Sequence, residues 1–529
     1  MPVDWTHEDY DANATVWLRA RDVFAGEDAV KAAGTRYLPQ LDSQTDDDYL
    51  AYKARASFFN AMGRTVDGFV GLIFRREPTF KLPNDHKATS GRDGAHRSTA
   101  RNGSGVGRAI SVFVEDADML GTSLTAYAKN VVTEVVVVGR CGTLVDWEAE
   151  GEQRAYASLY TAEQIINWRN ARVNGRNVPV LIVLRENVDA VGEDGFQSEA
   201  VEQIRVLKLE AGQSSEAGVQ SQEGVEVRRS SDRRYEYRVE IWRRDEAKTK
   251  QEKRDWVLVD TRVPRRLGKP LPLIPFVFHG PRHSLPCVDK LPLADIIAVN
   301  LDHYRLSADY HHGLHYTALP TAWVSGFDKD AELKIGSSTA WVAQAAGAAA
   351  GYLEFTGQGV TTFERAMDRN ERLLAVLGTR MLSEQKRVGE SADAIALRQS
   401  GENSVLGSLA TSISDSLTHV LRWTHWWHST EELPDLVGAD QVLVALNTDF
   451  SLEGMDSKTI TALVAAWQAG AISQDTMLDC FRKGEVLPDG RSNAEEKGLA
   501  GEGGQFLQGG SEAAGGTTGA GASAGGTTP

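Results

Sequence analysis

Along the first eighty residues, apolar positions recur at helical spacing. In YLAYKARASFFNAMGRTVDGFVGLIFRREP, Tyr52, Phe59, Met62, Val66, Phe69 and Ile73 fall at intervals of three, four and seven, which marks one face of an amphipathic helix. Pro78 ends that pattern. Residues 84–108 form a polar Gly/Ser loop. After it, AISVFVEDADMLGTSLTAYAKNVVTEVVVVGRCGTLVDW predicts a helix and then a β-branched strand ending near Trp147. From 155 to 285 the chain is strand-rich: VPVLIVLREN, QIRVLKLE, YEYRVEIWRR and DWVLVDTRV alternate between polar loops. The proline-dense KPLPLIPFVFHGPRHSLP then marks a boundary, because prolines at this density belong in neither a helix nor a central strand.

Helical spacing resumes after it. Leu293, Ile297, Leu301, Tyr304, Ala308, His311 and His315 make one stripe on a long helix closed by Pro320. A short-stranded α/β insert follows, and a second long helix covers about 360–383. Phe363, Met367, Leu374, Leu377 and Met381 line one of its faces, and Asp368 and Arg372 are spaced for an acid-first i, i+4 ion pair. The chain therefore goes out along one helix, builds a small module and comes back along the other. A further long helix runs to about residue 428. It ends in WTHWWH (423–428), read as core packing, with a subunit contact as the second reading. QVLVALNTDF reads as a strand. Asp456 and Ser473 are candidate N-caps of two helices ended by Gly470 and Gly484. The last 29 residues hold 11 glycines and almost no large apolar side chain, so the tail cannot bury a core and is expected to be disordered.

Composition narrows the function classes. The 529 residues exceed one ordinary domain. A net charge of −16 argues against a protein that grips nucleic acid through neutralised phosphates. Cys141, Cys287 and Cys480 form no CxxC pair and read as reduced thiols of an intracellular protein. The polar, acidic N-terminus is unlike a signal peptide, and no apolar run reaches the roughly 18 residues of a membrane span.

Three stretches invite a chemical reading. HYRLSADYHHGLHY (303–316) puts four histidines in fourteen positions, with His311 and His315 at i and i+4. The zinc-protease pattern needs a glutamate directly after the first histidine, and His312 stands there. Both imidazoles also lie on the Leu/Tyr stripe, where a hydrogen-bonded packing role is the commoner one. GSGVGR lacks the preceding strand and the following Lys-Ser/Thr of a phosphate loop. The pair at 456–484 has helix-turn-helix spacing, yet its second helix offers only Arg482 and Lys483 against two aspartates and a glutamate, so a packed helical hairpin is the better reading. No metal site, cofactor site or catalytic residue is assigned.

Several strings, in this order, resemble portal proteins of tailed bacteriophages, in a subfamily long catalogued as a domain of unknown function. They are RYLPQL with YLAYKARASFFNAMGRTVDGFVGLIFRREP, DADMLGTSLTAYAK with GRCGTLVDW, YTAEQIINW, LADIIAVNLDHYRLSADYHHGLHYTALPTAWVSGF, GESADAIALRQSGENSVLGSLATSISDSL, and GAISQDTMLDCFRKGEVLP. The likeness covers most of residues 10–490.

The resemblance implies an α+β portal-type fold in a ring of about twelve copies. It places a wing at 1–285, a first stem helix at 286–318, a clip at 319–357, a second stem helix at 358–383, a tunnel loop at 384–392, a return to the wing at 393–452, a helical crown at 453–492 and a Gly-rich tail at 493–529. Gln385, Lys386 and Arg387 would lie at the DNA channel, where the two cations either brush the phosphate backbone or stay solvated. Leu301, Tyr304, Ala308, His311, His315, Phe363, Met367, Leu374 and Leu377 would make stem subunit contacts. Phe327, Asp328, Lys329 and Trp341 would meet the motor or the tail adaptor. The implied partners are further copies of the chain, the terminase large subunit, the head–tail adaptor, major capsid and scaffold proteins, and duplex DNA bound without sequence specificity, with no membrane partner. Such a protein is assembled in the host cytoplasm, occupies one capsid vertex of the virion, carries DNA in during packaging and out at ejection, and is not an enzyme. Another structural virion component is the alternative, and a metal-dependent hydrolase a weaker one.

Overall fold

The N-terminal apolar stripe is divided between two helices instead of one. In the computed structural model, α3 (Asp46–Arg55) ends at Ala56, and α4 (Ala61–Ile73) starts after Asn60, whose side chain accepts from the Gly63 N–H at 2.8 Å. A residue that satisfies an orphan N–H in this way starts a helix wherever it stands, so the break precedes Ala61 even though the apolar spacing continues across it. Gly63 is needed there, since a Cβ would lie 2.7 Å from Asn60 Nδ2. Before these come α1 (Glu8–Ala25) and α2 (Glu27–Ala33).

The structure describes residues 3–82, 88–89, 105–191, 198–211, 235–244, 255–317, 321–327, 341, 346–353, 359–380, 405–431, 442–448, 450, 457–484, 486–487 and 492–499. The chain divides into two compact units, one of residues 1–88 with 98–450 and one of 89–97 with 451–529. It is a mixed α+β protein.

After the short strand β1 (Thr79–Lys81), α5 (Gly105–Glu115) and α6 (Leu124–Val138) follow. The valine run expected to begin a strand instead finishes α6. Ser123 caps its start, Gly139 in the left-handed region (φ 79°) ends it, and Val135 to Val138 are fully buried. Packing on every side outweighs the modest helix penalty of β-branched residues. Arg21 ties α1 to α6, donating to both Glu134 oxygens at 2.8 and 2.6 Å, and to Glu163 at 2.9 Å.

Two antiparallel sheets hold most of the described strands. β2 (Cys141–Trp147) lies between β3 (Ala155–Thr161) and β9 (Phe276–His279). The second sheet is a meander of β4 (Ile165–Val173), β5 (Arg176–Val191), β6 (Ser198–Ala211), β7 (Tyr235–Arg244) and β8 (Trp256–Arg262). The proline-dense stretch thus holds a strand, β9, at a sheet edge, where missing N–H donors are tolerated.

The long helix α9 (Val405–His428) is the centre of the core. Its apolar face includes Leu409, Ile413, Leu417 and Leu421, all at most 1% exposed. The hydroxyls between them are bonded. Thr418 Oγ1 accepts from Val444 N at 2.9 Å, and Ser414 Oγ accepts from Leu446 N at 3.0 Å, at the strand β12 (Leu443–Ala445), which pairs with β1. The Trp-rich end of α9 is core: Trp427 Nε1 donates to Val145 O at 3.2 Å, and the Arg266 guanidinium lies 4.2 Å above the Trp426 ring.

A buried relay links four elements. Ser416 Oγ donates to Ile413 O at 2.9 Å, so it accepts from His279 Nδ1 at 2.7 Å. His279 Nε2 must then accept from Thr143 Oγ1 at 2.7 Å, and Thr143 in turn accepts from Tyr127 Oη at 2.8 Å. Burial pushes the imidazole pKa down to about 3. A hydroxyl–imidazole pair invites a catalytic reading, but all four side chains are buried, and the relay clamps α6, β2, β9 and α9 together.

Among the described residues, Arg140 leaves the most buried side-chain donors without a partner. It is 2% exposed, none of its guanidinium nitrogens has a hydrogen-bond partner, and it rests 3.7 Å above the Trp168 ring and 5.0 Å from Phe278. Desolvation lowers its pKa to about 9. Cation–π contact only partly offsets a buried, unpaired charge. Arg140→Met is therefore expected to leave stability unchanged or raise it by about 1 kcal/mol in denaturant unfolding. A loss of 2 kcal/mol or more would contradict this account of the site.

The second unit contains α10 (Ser457–Gln468) and α11 (Gln474–Lys483). Ser473 caps α11, its Oγ accepting from Thr476 N at 3.1 Å; Asp456 lies outside the described residues. Residues 493–499, at the start of the segment assigned to the Gly-rich tail, are helical. Ser492 and Glu495 form a reciprocal capping box, Glu495 N to Ser492 Oγ at 3.2 Å and Ser492 N to Glu495 Oε2 at 2.8 Å.

Candidate functional site: the paired helices and their hairpin

Two long helices, α7 (Ala294–Thr317) and α8 (Val360–Arg380), run antiparallel. Contacts at residues 302–303 of α7 reach 370–371 of α8, and residue 310 reaches 364. Asn370 Nδ2 donates to Asp302 Oδ2 at 2.7 Å, His303 Nε2 lies 3.4 Å from Glu371 Oε1, and Tyr310 Oη donates to Glu364 Oε1 at 2.9 Å. Between the helices in sequence, β10 (Thr321–Ser325) and β11 (Ala349–Leu353) form a two-stranded antiparallel hairpin that pairs Trp323 with Gly351 and Ala322 with Tyr352. A side chain at Gly351 would press on Trp323 Nε1 at 3.0 Å.

The stripe on α7 is used inside its own subunit. Leu301, Tyr304 and Ala308 are at most 3% exposed, and Leu374 on α8 is 6% exposed. Tyr304 meets Phe58 edge-on, with ring centroids 5.9 Å apart. These four side chains are buried within their own chain, where α3 and α4 pack against α7. Phe363, Met367 and Leu377 are half-buried, His311 is half-buried, and His315 is exposed. Asn300, fully buried, fixes α4 to α7: Oδ1 accepts from the Ala61 and Met62 N–H groups at 3.1 Å each, and Nδ2 donates to Phe59 O at 2.8 Å.

The histidines have separate neighbours. His303 faces Glu371, His311 Nε2 is 3.5 Å from Ser57 Oγ, and His312 meets the Tyr52 ring edge-on at 5.2 Å. Burial lowers the His312 pKa. Among the described residues, no three His, Cys, Asp or Glu side chains are placed to hold a metal ion. A thiol, an imidazole and a carboxylate do meet elsewhere, where Cys287 Sγ and Asp289 Oδ2 each lie 3.6 Å from His283 Nε2. Both converge on one nitrogen, whereas a nucleophile–base–acid set needs both ring nitrogens. Arg282 also pairs with Asp289.

Of the residues placed at the motor-facing insert, Phe327 and Trp341 are half-buried, and Asp328 and Lys329 lie outside the described residues. So do Gln385, Lys386 and Arg387. The exposed aromatics of the hairpin, Trp323 at 45% and Tyr352 at 53%, had no role assigned from sequence, although the alternation in TAWVS could have singled out Trp323. The Asp368–Arg372 ion pair expected on α8 does not form. Among the described residues, no helix is long and apolar enough to cross a membrane.

Residues 292–428, from the start of α7 to the end of α9, match the family described as "Domain of unknown function (DUF4055)". A search of curated proteins finds no match. Among solved structures, the chain is similar to one in "Neck of empty GTA particle computed with C6 symmetry", at 10% identity, covering 86% of this chain and 98% of that one with a TM-score of 0.34. It is also similar to one in "Virion of native gene transfer agent (GTA) particle", at 9% identity, 86% and 98% coverage and a TM-score of 0.35. A third, in "Neck of native GTA particle computed with C12 symmetry", matches at 9% identity, 71% and 89% coverage and a TM-score of 0.29.

Proposed function

We propose that this chain is the subunit of a portal ring at one vertex of a phage-type capsid. One observation carries the reading: two long antiparallel helices enclose a small β-hairpin in sequence, the out-and-back arrangement expected of a stem and clip. In this reading α7 and α8 are the stem, the β10–β11 hairpin belongs to the clip that meets the terminase motor and later the adaptor, and the unit with α10 and α11 is the crown. The remainder is the wing. Residues 384–392 are the tunnel loop.

The mechanism is geometric and involves no covalent chemistry. A ring subunit needs a rigid core from which the stem is held, and Asn300 and the Tyr304–Phe58 contact fix α7 to the N-terminal helices. A net charge of −16 suits a channel through which DNA slides both ways, because each strong phosphate contact would have to be broken at every step. Purified full-length chain is expected to give closed rings of about twelve copies in native mass measurement and negative-stain images. A chain that remains monomeric across the accessible concentration range would overturn the proposal.

A further inference from the structure

The α8 helix repeats one dyad three times: Glu364–Arg365, Asp368–Arg369 and Glu371–Arg372. Spacings of four and three residues stack the acids in one column and the guanidiniums in another, about 100° further around the helix. Asn370 and Leu374 face α7. Opposite them the arginine column runs along the exposed crest, beside the apolar Leu373 and Val376, which are 38% and 47% exposed. Among the described residues, Arg365, Arg369, Arg372 and Asp368 have no ion-pair or hydrogen-bond partner. Of the outer acids, Glu364 accepts from the Tyr310 hydroxyl and Glu371 Oε1 lies 3.4 Å from His303 Nε2, and both stay exposed.

We propose that α8 docks against α8 of a second copy of this chain, the arginine column of one copy meeting the acidic column of the next. The inference rests on the ring reading above and supplies the contact residues that the buried stripe of α7 does not. Copies related by rotation about an axis along the helix stand at equal heights, so matching charges must also lie at equal heights. Each arginine is one residue from its acid, about 1.5 Å along the axis, and the columns meet without sliding. A head-to-tail contact that closes into a ring needs two different surfaces on one subunit, and the two columns are such surfaces. Leu373 and Val376 add apolar area beside them. Exposed ion pairs are individually weak and salt-screened, but three per contact recur at every contact of a ring.

The test compares ring formation by the full chain and two variants, using native mass at low and high salt, with circular dichroism to confirm folding. R365E/R369E/R372E is expected to weaken each contact about tenfold and to leave mostly unclosed species. Adding E364R/D368R/E371R to the same chain exchanges the two columns and is expected to restore rings. Ring formation by the parent is expected to fall as salt rises. If the parent forms rings and the triple-glutamate variant forms them equally well, this inference fails and the ring reading stands. A folded sixfold variant that does not recover rings also overturns it. A parent that never forms rings overturns both.

Discussion

Asn300→Ala is expected to lower the unfolding free energy by roughly 3 to 5 kcal/mol, the largest effect of any single change in the paired helices. The side chain is fully buried on α7 and satisfies three backbone groups at the start of α4: the N–H groups of Ala61 and Met62 and the carbonyl of Phe59. Asn60 takes the next donor, Gly63 N. Helix starts leave such donors without intrahelical partners, and alanine at 300 would strand two donors and one acceptor in a dry core. Asn300→Asp should be milder, because it keeps an acceptor for the two donors at a helix N-terminus, where negative charge is favoured. Urea unfolding of the three proteins checks the order, and a loss below 1 kcal/mol for Asn300→Ala would contradict it.

Acidification should act through His279. Its pKa is about 3 in the folded protein against 6.5 for the free side chain, because burial disfavours the imidazolium. The unfolded chain therefore binds more protons throughout that interval. The stability contributed by the neutral imidazole is complete above about pH 6.5 and is lost as pH falls toward 3, by up to an order of 4 kcal/mol. Protonation would also place a second donor opposite the Thr143 hydroxyl, which already donates to Nε2. His428, lowered to about 4 by burial, acts in the same direction. His279→Asn removes one titration and keeps a donor and an acceptor. Its urea midpoint should fall less steeply between pH 6.5 and 4 than that of the parent. Parallel slopes would show that His279 is not the group responsible.

Periodicity made the long helices legible because each has one apolar face and ends at glycine, proline or a cap. The out-and-back arrangement of α7 and α8 followed from the same signal. What the stripes could not reveal was which neighbour covers them. Leu301, Tyr304 and Ala308 look the same on paper whether they meet another copy or α3 and α4 of their own chain, since α7 packs against residues about 240 positions away in sequence. The valine run of α6 misled because β-branched residues favour strands only when packing does not decide. The polar SISDSLT segment of α9 lies in the core because its hydroxyls bond to β12 and to His279, partners that no local pattern announces. The dyads of α8 were visible throughout. Their meaning depended on the expected Asp368–Arg372 pair not forming and on the arginines facing outward.

The most direct measurement is a cryo-EM reconstruction of the purified full chain at a concentration where assembly is complete. The account predicts a closed cyclic ring with an axial hole wide enough for duplex DNA. In it the α7–α8 pairs stand side by side around the hole, and the β10–β11 hairpins encircle one end. An assembly without an axial hole, or a ring in which the α7–α8 pairs lie on the outer rim away from both the hole and their neighbours, would contradict it.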